Sequence, residues 1–538
     1  MRSSVQKETF LLQDEGIDEL SEWIGQKLKG AAVDKQGRLR ARLFAEEVLL
    51  RMQSHLDKNT EVSVTLDMRL KHTRRPRLTF EMVGDPYNPL GGLEGDMGDW
   101  DSTLRAAIGL TPLYGYEYGR NVIKFHVPHS GLNSVLLIVF SILIGLLLGI
   151  FGAWVIPDSM RQAFANGLLT PTYDMWVRLL NALSGPVVFL TVITTMINTQ
   201  GIIRRGGNSA LVIVRYFVIS ILDVLVAVLC IVRFRTIGRM PSVINIELLH
   251  TFGGSISKII PSNVFDPFIE SNTVQLLFLA FVLGYVLIRM GGQAHALKEV
   301  IRESNMLGLR LAGWMSKLVP IFVGAFLCLE LWRGQTVLLK GLWRPLLVAV
   351  AISLGILSVF IIGLARRTHV SVIEITKKLL PPFITALRTG SLDESYAESL
   401  TCCTHALGVD AAYAKEALPQ GLVLYMPISA VGTAVFTLFA AYVFNLQVDL
   451  LWYVLVIVMV VVVFVATPPV PGANLLAYVV LFSTLGVSED VLLDAMTFDI
   501  VFGIFAGAAN QALLHIEMYY QAARFGLLDK DSIRSSSS

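Results

Sequence analysis

The chain has 538 residues, 54% of them hydrophobic and only 16% charged, with a formal net charge of +2 and a mean hydropathy of +0.61. This composition excludes a disordered chain and a nucleic-acid-binding one, and it fits a polytopic membrane protein. Charge is uneven along the chain: residues 1–130 are polar and mixed in sign, whereas the rest is mostly apolar. A polar α/β domain at 1–130, a membrane body at 131–527 and a disordered tail at 528–538 are therefore expected.

The first residues, Met1-Arg-Ser-Ser-Val-Gln-Lys-Glu, lack an apolar h-region, so no signal peptide is expected and the head is placed in the cytosol. Ile17, Leu20, Ile24 and Leu28 recur at helical spacing, and a second helix is expected over 39–56. Strands follow at 62–66 and 78–82, then a loop at 85–92 rich in Pro, Gly and Asn, then a strand at 121–127 that ends at Pro128.

Residues 134–156 carry no charge, and about 20 apolar residues span the roughly 30 Å core of a bilayer. Further spans are expected near 172–198, 208–232, 270–290, 311–331, 342–364, 417–444, 451–466 and 491–518. Two segments are irregular. One, 381–403, is rich in Ser, Thr and Cys and carries Asp393, Glu394 and Glu398; the other, 466–485, carries Thr467-Pro-Pro-Val-Pro-Gly472. Each is either an extramembrane loop or a broken segment at membrane depth, which in transporters marks the binding site. The positive-inside rule puts the loops carrying Arg204, Arg205, Arg289, Arg366, Arg367, Lys377 and Lys378 on the side of the head. The four cysteines have no metal-ligand spacing and read as packing residues.

Several stretches carry a family resemblance. They are Leu169-Thr-Pro-Thr-Tyr-Asp-Met-Trp-Val-Arg-Leu-Leu180 with Gly185-Pro186, Ile260-Pro-Ser-Asn-Val-Phe265 with Glu270-Ser-Asn-Thr-Val-Gln275, Leu407-Gly-Val409, Leu418-Pro-Gln-Gly421, and Val470-Pro-Gly-Ala-Asn-Leu475. Over about 135–525 the body resembles the glutamate/dicarboxylate:cation symporter family, the acidic amino acid transporters. The resemblance implies an α-helical polytopic membrane protein with eight transmembrane helices and two re-entrant hairpins. It also implies an elevator-type mechanism and a homotrimer in the cell membrane, with a small cytosolic α/β domain in front. The head resembles the histidine-kinase-like (GHKL) ATPase fold through Glu46-Glu47 and the Gly84-Asp-Pro-Tyr-Asn-Pro89 turn, in degenerate form. The family's Mg-binding Asn would fall at Arg51, and Gly91, Gly92, Gly95 and Gly98 are the nearest candidates for an ATP lid.

The chain departs from the family pattern at the binding site. The helix-7 motif reads Tyr425-Met-Pro-Ile-Ser429, without the family's Asn and Asp. On helix 8, Asp499 and Asn510 match the pattern, but Gly503 replaces the amine-binding Asp, Ala506 the carboxylate-binding Arg and Leu514 the sodium-binding Asp. Ala cannot make a bidentate carboxylate clamp, and Leu offers sodium neither oxygen nor charge. The resemblance then implies substrate contacts at Ser391, Met426, Ser429, Gly472 and Asn510, and ion or proton coupling at Asn510, Glu517 and Asp499.

Asp499, Gly503, Ala506, Asn510 and Glu517 step by 4, 3, 4 and 7 and share one helix face, whereas His515 points elsewhere. Glu517 is either a coupling site or a headgroup-level residue near Arg524. Asp393 and Glu394 either pair with Arg388 or line an acidic vestibule. Asp223 and Asp174 read as structural or interfacial. No enzyme, cofactor or nucleic-acid partner is expected, and nucleotide at the head is not favoured. The expected function is secondary active transport of a small polar solute, neutral or cationic, coupled to a proton rather than sodium. The alternative is a transport-incompetent membrane sensor that signals through the head.

Overall fold

In the computed structural model the described residues are 5–30, 33, 35–57, 59–67, 76–89, 112–127, 134–198, 209–234, 260–269, 273–333, 341–390, 392–446, 448–466, 478, 481–482, 484–487 and 491–529.

The head is a five-stranded antiparallel sheet with two helices. Strands β1 (Val5–Leu11), β2 (Glu61–Asp67), β3 (Arg77–Val83), β4 (Leu113–Glu117) and β5 (Arg120–His126) lie in the order β1-β2-β3-β5-β4. Val64, Phe80 and Ile123 are register partners across the three inner strands, and all are fully buried. Helices α1 (Asp14–Gly30) and α2 (Lys35–Gln53) pack against each other and close this core. Ile17, Leu20, Ile24 and Leu28 face inward as their spacing predicts, and Phe44 of α2 meets Phe125 of β5 edge-on at 4.7 Å. The sequence analysis did not foresee β1 and β4. Both are sheet edges, and their partly exposed residues lack the apolar alternation that marks the inner strands.

The body is helical: α3 (Ser134–Val155), α4 (Thr170–Asn198), α5 (Ser209–Phe234), α6 (Thr273–Met290), α7 (His295–Arg333), α8 (Trp343–Thr368), α9 (Val372–Thr389), α10 (Leu392–Thr401), α11 (Ala411–Leu424), α12 (Pro427–Val443), α13 (Leu450–Ala466) and α14 (Leu492–Phe525). Among the described residues, five stretches are long and apolar enough to cross a membrane: Val214–Phe234, Phe278–Gly308, Trp343–Thr368, Ala411–Val443 and Thr497–Phe525. Shorter apolar helices lie at Val139–Val155, Gly185–Thr194, Pro320–Leu329 and Trp452–Phe464.

Packing sorts these helices into two bundles. In the first, α3 and α4 both pack on α7, and α6 packs on α4. Gly145 and Gly324 let α3 and α7 touch backbone to backbone: a Cβ on Gly145 would stand 2.4 Å from the Gly324 carbonyl oxygen. Trp332 donates its indole N–H to the Gly149 carbonyl at 3.1 Å along the same seam. In the second bundle, α12 is buried along nearly its whole length among α5, α8, α13 and α14. The bundles meet where α13 reaches α4, α14 reaches α7 and α9 reaches α3.

Three sequence expectations take a sharper form. The span near 311–331 belongs to a much longer α7, which starts directly after a 3₁₀ turn at Gly291–Ala294. The segment 381–403 runs through a helical hairpin, α9 and α10, turning at Gly390 with φ 64°. The span near 417–444 is two helices interrupted at Tyr425–Met426. Pro427 sits at the first position of α12, where its fixed φ and missing N–H are tolerated, and it biases Met426 away from helical geometry (φ −123°, ψ 50°).

At the C-terminal end, Asp410 donates its backbone N–H to Leu527 at 3.0 Å and Asp529 donates to Gly408 at 2.8 Å. Leu528 also bridges to Val409. Residues 530–538 of the expected tail lie outside the described residues, as does the candidate lid with Gly91, Gly92, Gly95 and Gly98.

Candidate functional site

The interruption between α11 and α12 is the focus of the second bundle. A helix start leaves N–H groups without intrahelical partners, and burial makes an unpaired one costly. Asn510 of α14 supplies the partner: its carbonyl oxygen accepts the Ile428 N–H at 2.7 Å. Its amide nitrogen donates to the Ser429 hydroxyl at 2.8 Å. Met426, Ser429 and Asn510 are therefore one buried cluster. The structure unites these three sequence-predicted site residues; Ser391 and Gly472 lie outside the described residues, as do the side chains of Asp393 and Glu394.

Apolar residues flank Asn510 on α14. Ala506 is fully buried one turn before Asn510. Leu514, one turn after it, packs on Gly421 of α11 so closely that a Cβ there would stand 2.4 Å from the Leu514 Cδ1. An aromatic pile of Phe436, Tyr478, Phe482, Phe498 and Phe502 fills the neighbouring space, with successive ring centroids 5.1–6.3 Å apart. Phe502 lies flush on Gly432, where a Cβ would be 2.0 Å from its ring. Asp499 is buried near Gly503, and the Thr433 hydroxyl donates to the Tyr478 oxygen at 3.2 Å.

The first hairpin touches α14 through groups that sequence reasoning did not single out. The Ser395 hydroxyl donates to the Gln511 carbonyl oxygen at 3.0 Å, and the Gln511 amide donates to the Ser399 hydroxyl; all three side chains are buried. The signal was present in the i, i+4 spacing of Ser395 and Ser399 within the Ser-rich segment, and in Gln511 directly after Asn510. His515 is fully buried, and neither ring nitrogen has a hydrogen-bond partner among the described residues.

Glu517 is not at an exposed helix end but inside the second bundle. Its carboxylate is fully buried and accepts from the guanidinium of Arg215 on α5 through both oxygens, the Nη2–Oε2 contact being 3.1 Å. Gln521 donates to it as well, at 3.2 Å, and Arg215 lies over the Tyr520 ring at 5.9 Å. A cation inside an apolar span is itself a signal, and Arg215 was legible on that ground. Asp174 is exposed, whereas Asp223 is buried inside the second bundle. Among the described residues no group of three His, Cys, Asp or Glu side chains could hold a metal ion.

The head meets the second bundle. Helix α2 packs against α10, and Glu47 of α2 pairs with Lys415 of α11 at 3.3 Å. Glu47 also pairs with Arg51 at 3.0 Å, and Arg51 donates to the Pro89 carbonyl at 3.2 Å. The residue at the expected Mg-binding position is therefore engaged in holding the turn after β3.

The sequence model described as the sodium:dicarboxylate symporter family matches residues 135–512. Among curated proteins, a C4-dicarboxylate transport protein of Aeromonas salmonicida (strain A449) is 21% identical over 362 residues, which cover 64% of this chain and 82% of the relative.

Proposed function

The chain belongs to the sodium:dicarboxylate symporter family, and from that membership we propose that it is a secondary active carrier of a small neutral or cationic solute, coupled to a proton rather than to sodium. Membership and the C4-dicarboxylate relative support membrane transport, not enzymatic catalysis, as its activity. The observation that carries the solute class is the lining of the α11–α12 interruption. Asn510, Ser429 and Met426 offer amide, hydroxyl and thioether, with Ala506 and Gly503 beside them. A dicarboxylate needs a cationic clamp there, and none of these residues supplies one. Leu514 packed on Gly421 supports the loss of a sodium site.

The proposed architecture has eight spans: α3 to α8, the interrupted α11–α12, and α14. Two re-entrant hairpins complete it, α9–α10 and the one that begins with α13. It works as an elevator in a homotrimer in the cell membrane, with residues 1–130 in the cytosol as a degenerate ATPase-like domain. By the family resemblance Ser391 and Gly472 join the solute contacts, and Asp499, Asn510 and Glu517 serve ion or proton coupling.

Uptake into proteoliposomes tests this reading. Labelled L-serine or L-threonine should accumulate under an inward proton gradient with or without sodium, whereas L-aspartate and succinate should not. Sodium-dependent aspartate or succinate uptake that Asn510→Ala abolishes would overturn the solute and coupling assignments together.

A second reading, a sensor that does not transport, is favoured by the attachment of α2 to α10 and of Glu47 to Lys415. It requires a solute to bind and change the accessibility of the head while no uptake occurs, which hydrogen exchange and the same vesicles read together.

A further inference from the structure

Helix α5 carries a single acidic residue, Asp223, near the middle of a stretch apolar enough to cross a bilayer. Its side chain is buried, and Oδ2 has no hydrogen-bond partner among the described residues. Helix α5 packs against α12, α13 and α8. Helices α12 and α13 contain no Asp, Glu, Lys, Arg or His. Helix α8 bears Arg344 at its start and Arg366 and Arg367 at its end, away from its middle. On α5 itself, Arg215 lies two turns before Asp223 and is bound to Glu517 of α14, and Arg233 is exposed at the helix end. No cation is therefore placed to neutralise Asp223 among the described residues of these helices.

Tyr425, at the α11–α12 interruption, lies within electrostatic range of Asp223 and also of Glu517 and Arg215. The Tyr425 ring packs on Tyr216 of α5 with centroids 4.8 Å apart, and its hydroxyl is buried and also unpartnered. Asp223 Oδ2 on α5 and the Tyr425 hydroxyl at the break packed against α5 are thus two buried oxygens without hydrogen-bond partners among the described residues. An isolated carboxylate in an apolar interior is costly, and taking up a proton removes its charge. The protonated carboxyl gains an O–H donor for which the Tyr425 oxygen is an acceptor. Intramembrane acids without a structural ion partner mark relays and coupling sites.

We propose that Asp223 is a proton-binding site of the second bundle, holding one exchangeable proton beside Tyr425. The step is an O–H bond formed with a proton from water and broken to return it, and no other bond changes. The inference rests on the proton-coupled reading above and gives that coupling its residue.

Infrared spectroscopy of the full chain in lipid vesicles tests it without a solute. At neutral pH the wild type should show a carboxylic C=O band above 1,700 cm⁻¹ that shifts in D₂O and disappears at alkaline pH. Asp223→Asn should lose the band, Asp223→Glu should move it, and Asp499→Asn and Glu517→Gln should keep it. A wild type without the band, or a band that survives in a monodisperse Asp223→Asn, overturns the proposal. If Asp223→Asn does not fold, an unmoved band in Asp223→Glu does the same. L-serine added to vesicles loaded with a pH-reporting dye should drive proton entry in the wild type and not in Asp223→Asn. Absence of any L-serine flux in the wild type counts against the carrier reading, while the band still decides whether Asp223 holds the proton.

Discussion

Asn510 and Glu517 lie two turns apart on one face of α14, yet their surroundings differ in kind. Around Asn510 the described partners are neutral: a backbone N–H and a serine hydroxyl, with the apolar Ala506 and Leu514 one turn away on either side. Around Glu517 there is full charge: a buried carboxylate, a guanidinium from α5 and an amide from Gln521. The resemblance places the family's ligands at the first neighbourhood, and it is there that this chain has shed its charges. Ionic groups persist in the α5–α14 seam, where the chain supplies both partners itself. A cation tethered as Arg215 neutralises Glu517 without an ion from solution.

The largest break in this contrast comes from Arg215→Ala. It strands the fully buried Glu517 carboxylate, but Arg215 is itself 42% exposed, so the loss should lie at or below the lower end of the about 3–5 kcal/mol typical of a fully buried pair. Unfolding in detergent micelles should show that loss, and Arg215→Ala combined with Glu517→Gln should recover most of it. Equal losses in the single and double variants would show that the pairing is not what stabilises the seam. Next in size is Asn510→Ala, which leaves the Ile428 N–H buried and unpaired and should cost about 1–3 kcal/mol. Stability equal to the wild type would mean that another group caps α12.

Smaller still is the head contact. Glu47 and Lys415 are each about a quarter exposed at 24% and 29%, and a double-mutant cycle with Glu47→Gln and Lys415→Gln should return at most about 1 kcal/mol of coupling, weaker in high salt. The smallest expected effect is none: sodium, against choline at equal ionic strength, should not raise the melting temperature saturably. A bound ion at 100-fold its Kd would contribute about 2.7 kcal/mol, so a saturable rise would place a sodium site that Leu514 argues against.

The sequence made the membrane helices legible because each is a long apolar run, and α3, α5 and α13 fall within about two residues of their expected bounds. The break at Tyr425–Met426 was readable from Pro427. The edge strands were not, because an edge needs only one paired neighbour and no inward stripe. Asn510 and Ser429 were legible as site residues, but the Asn510 cap was not, since it joins residues 82 positions apart. Glu517 was singled out without its partner: the pair spans 302 positions, and no local pattern reports such a distance. Asp223 reads from sequence as structural or interfacial, because a lone acid in a span does not report its neighbours until the helices are assembled.

The head is fastened at two points. The chain leaves β5 at His126 and enters α3 at Ser134, so seven residues tie the head to the first bundle. Glu47 and the face of α2 hold it to the second. Those seven residues reach at most about 25 Å when fully extended. The molecule is thus a closed linkage, one bolt covalent and the other releasable. Any sliding of one bundle past the other that outruns the slack in the short strap must first lift α2 from α10.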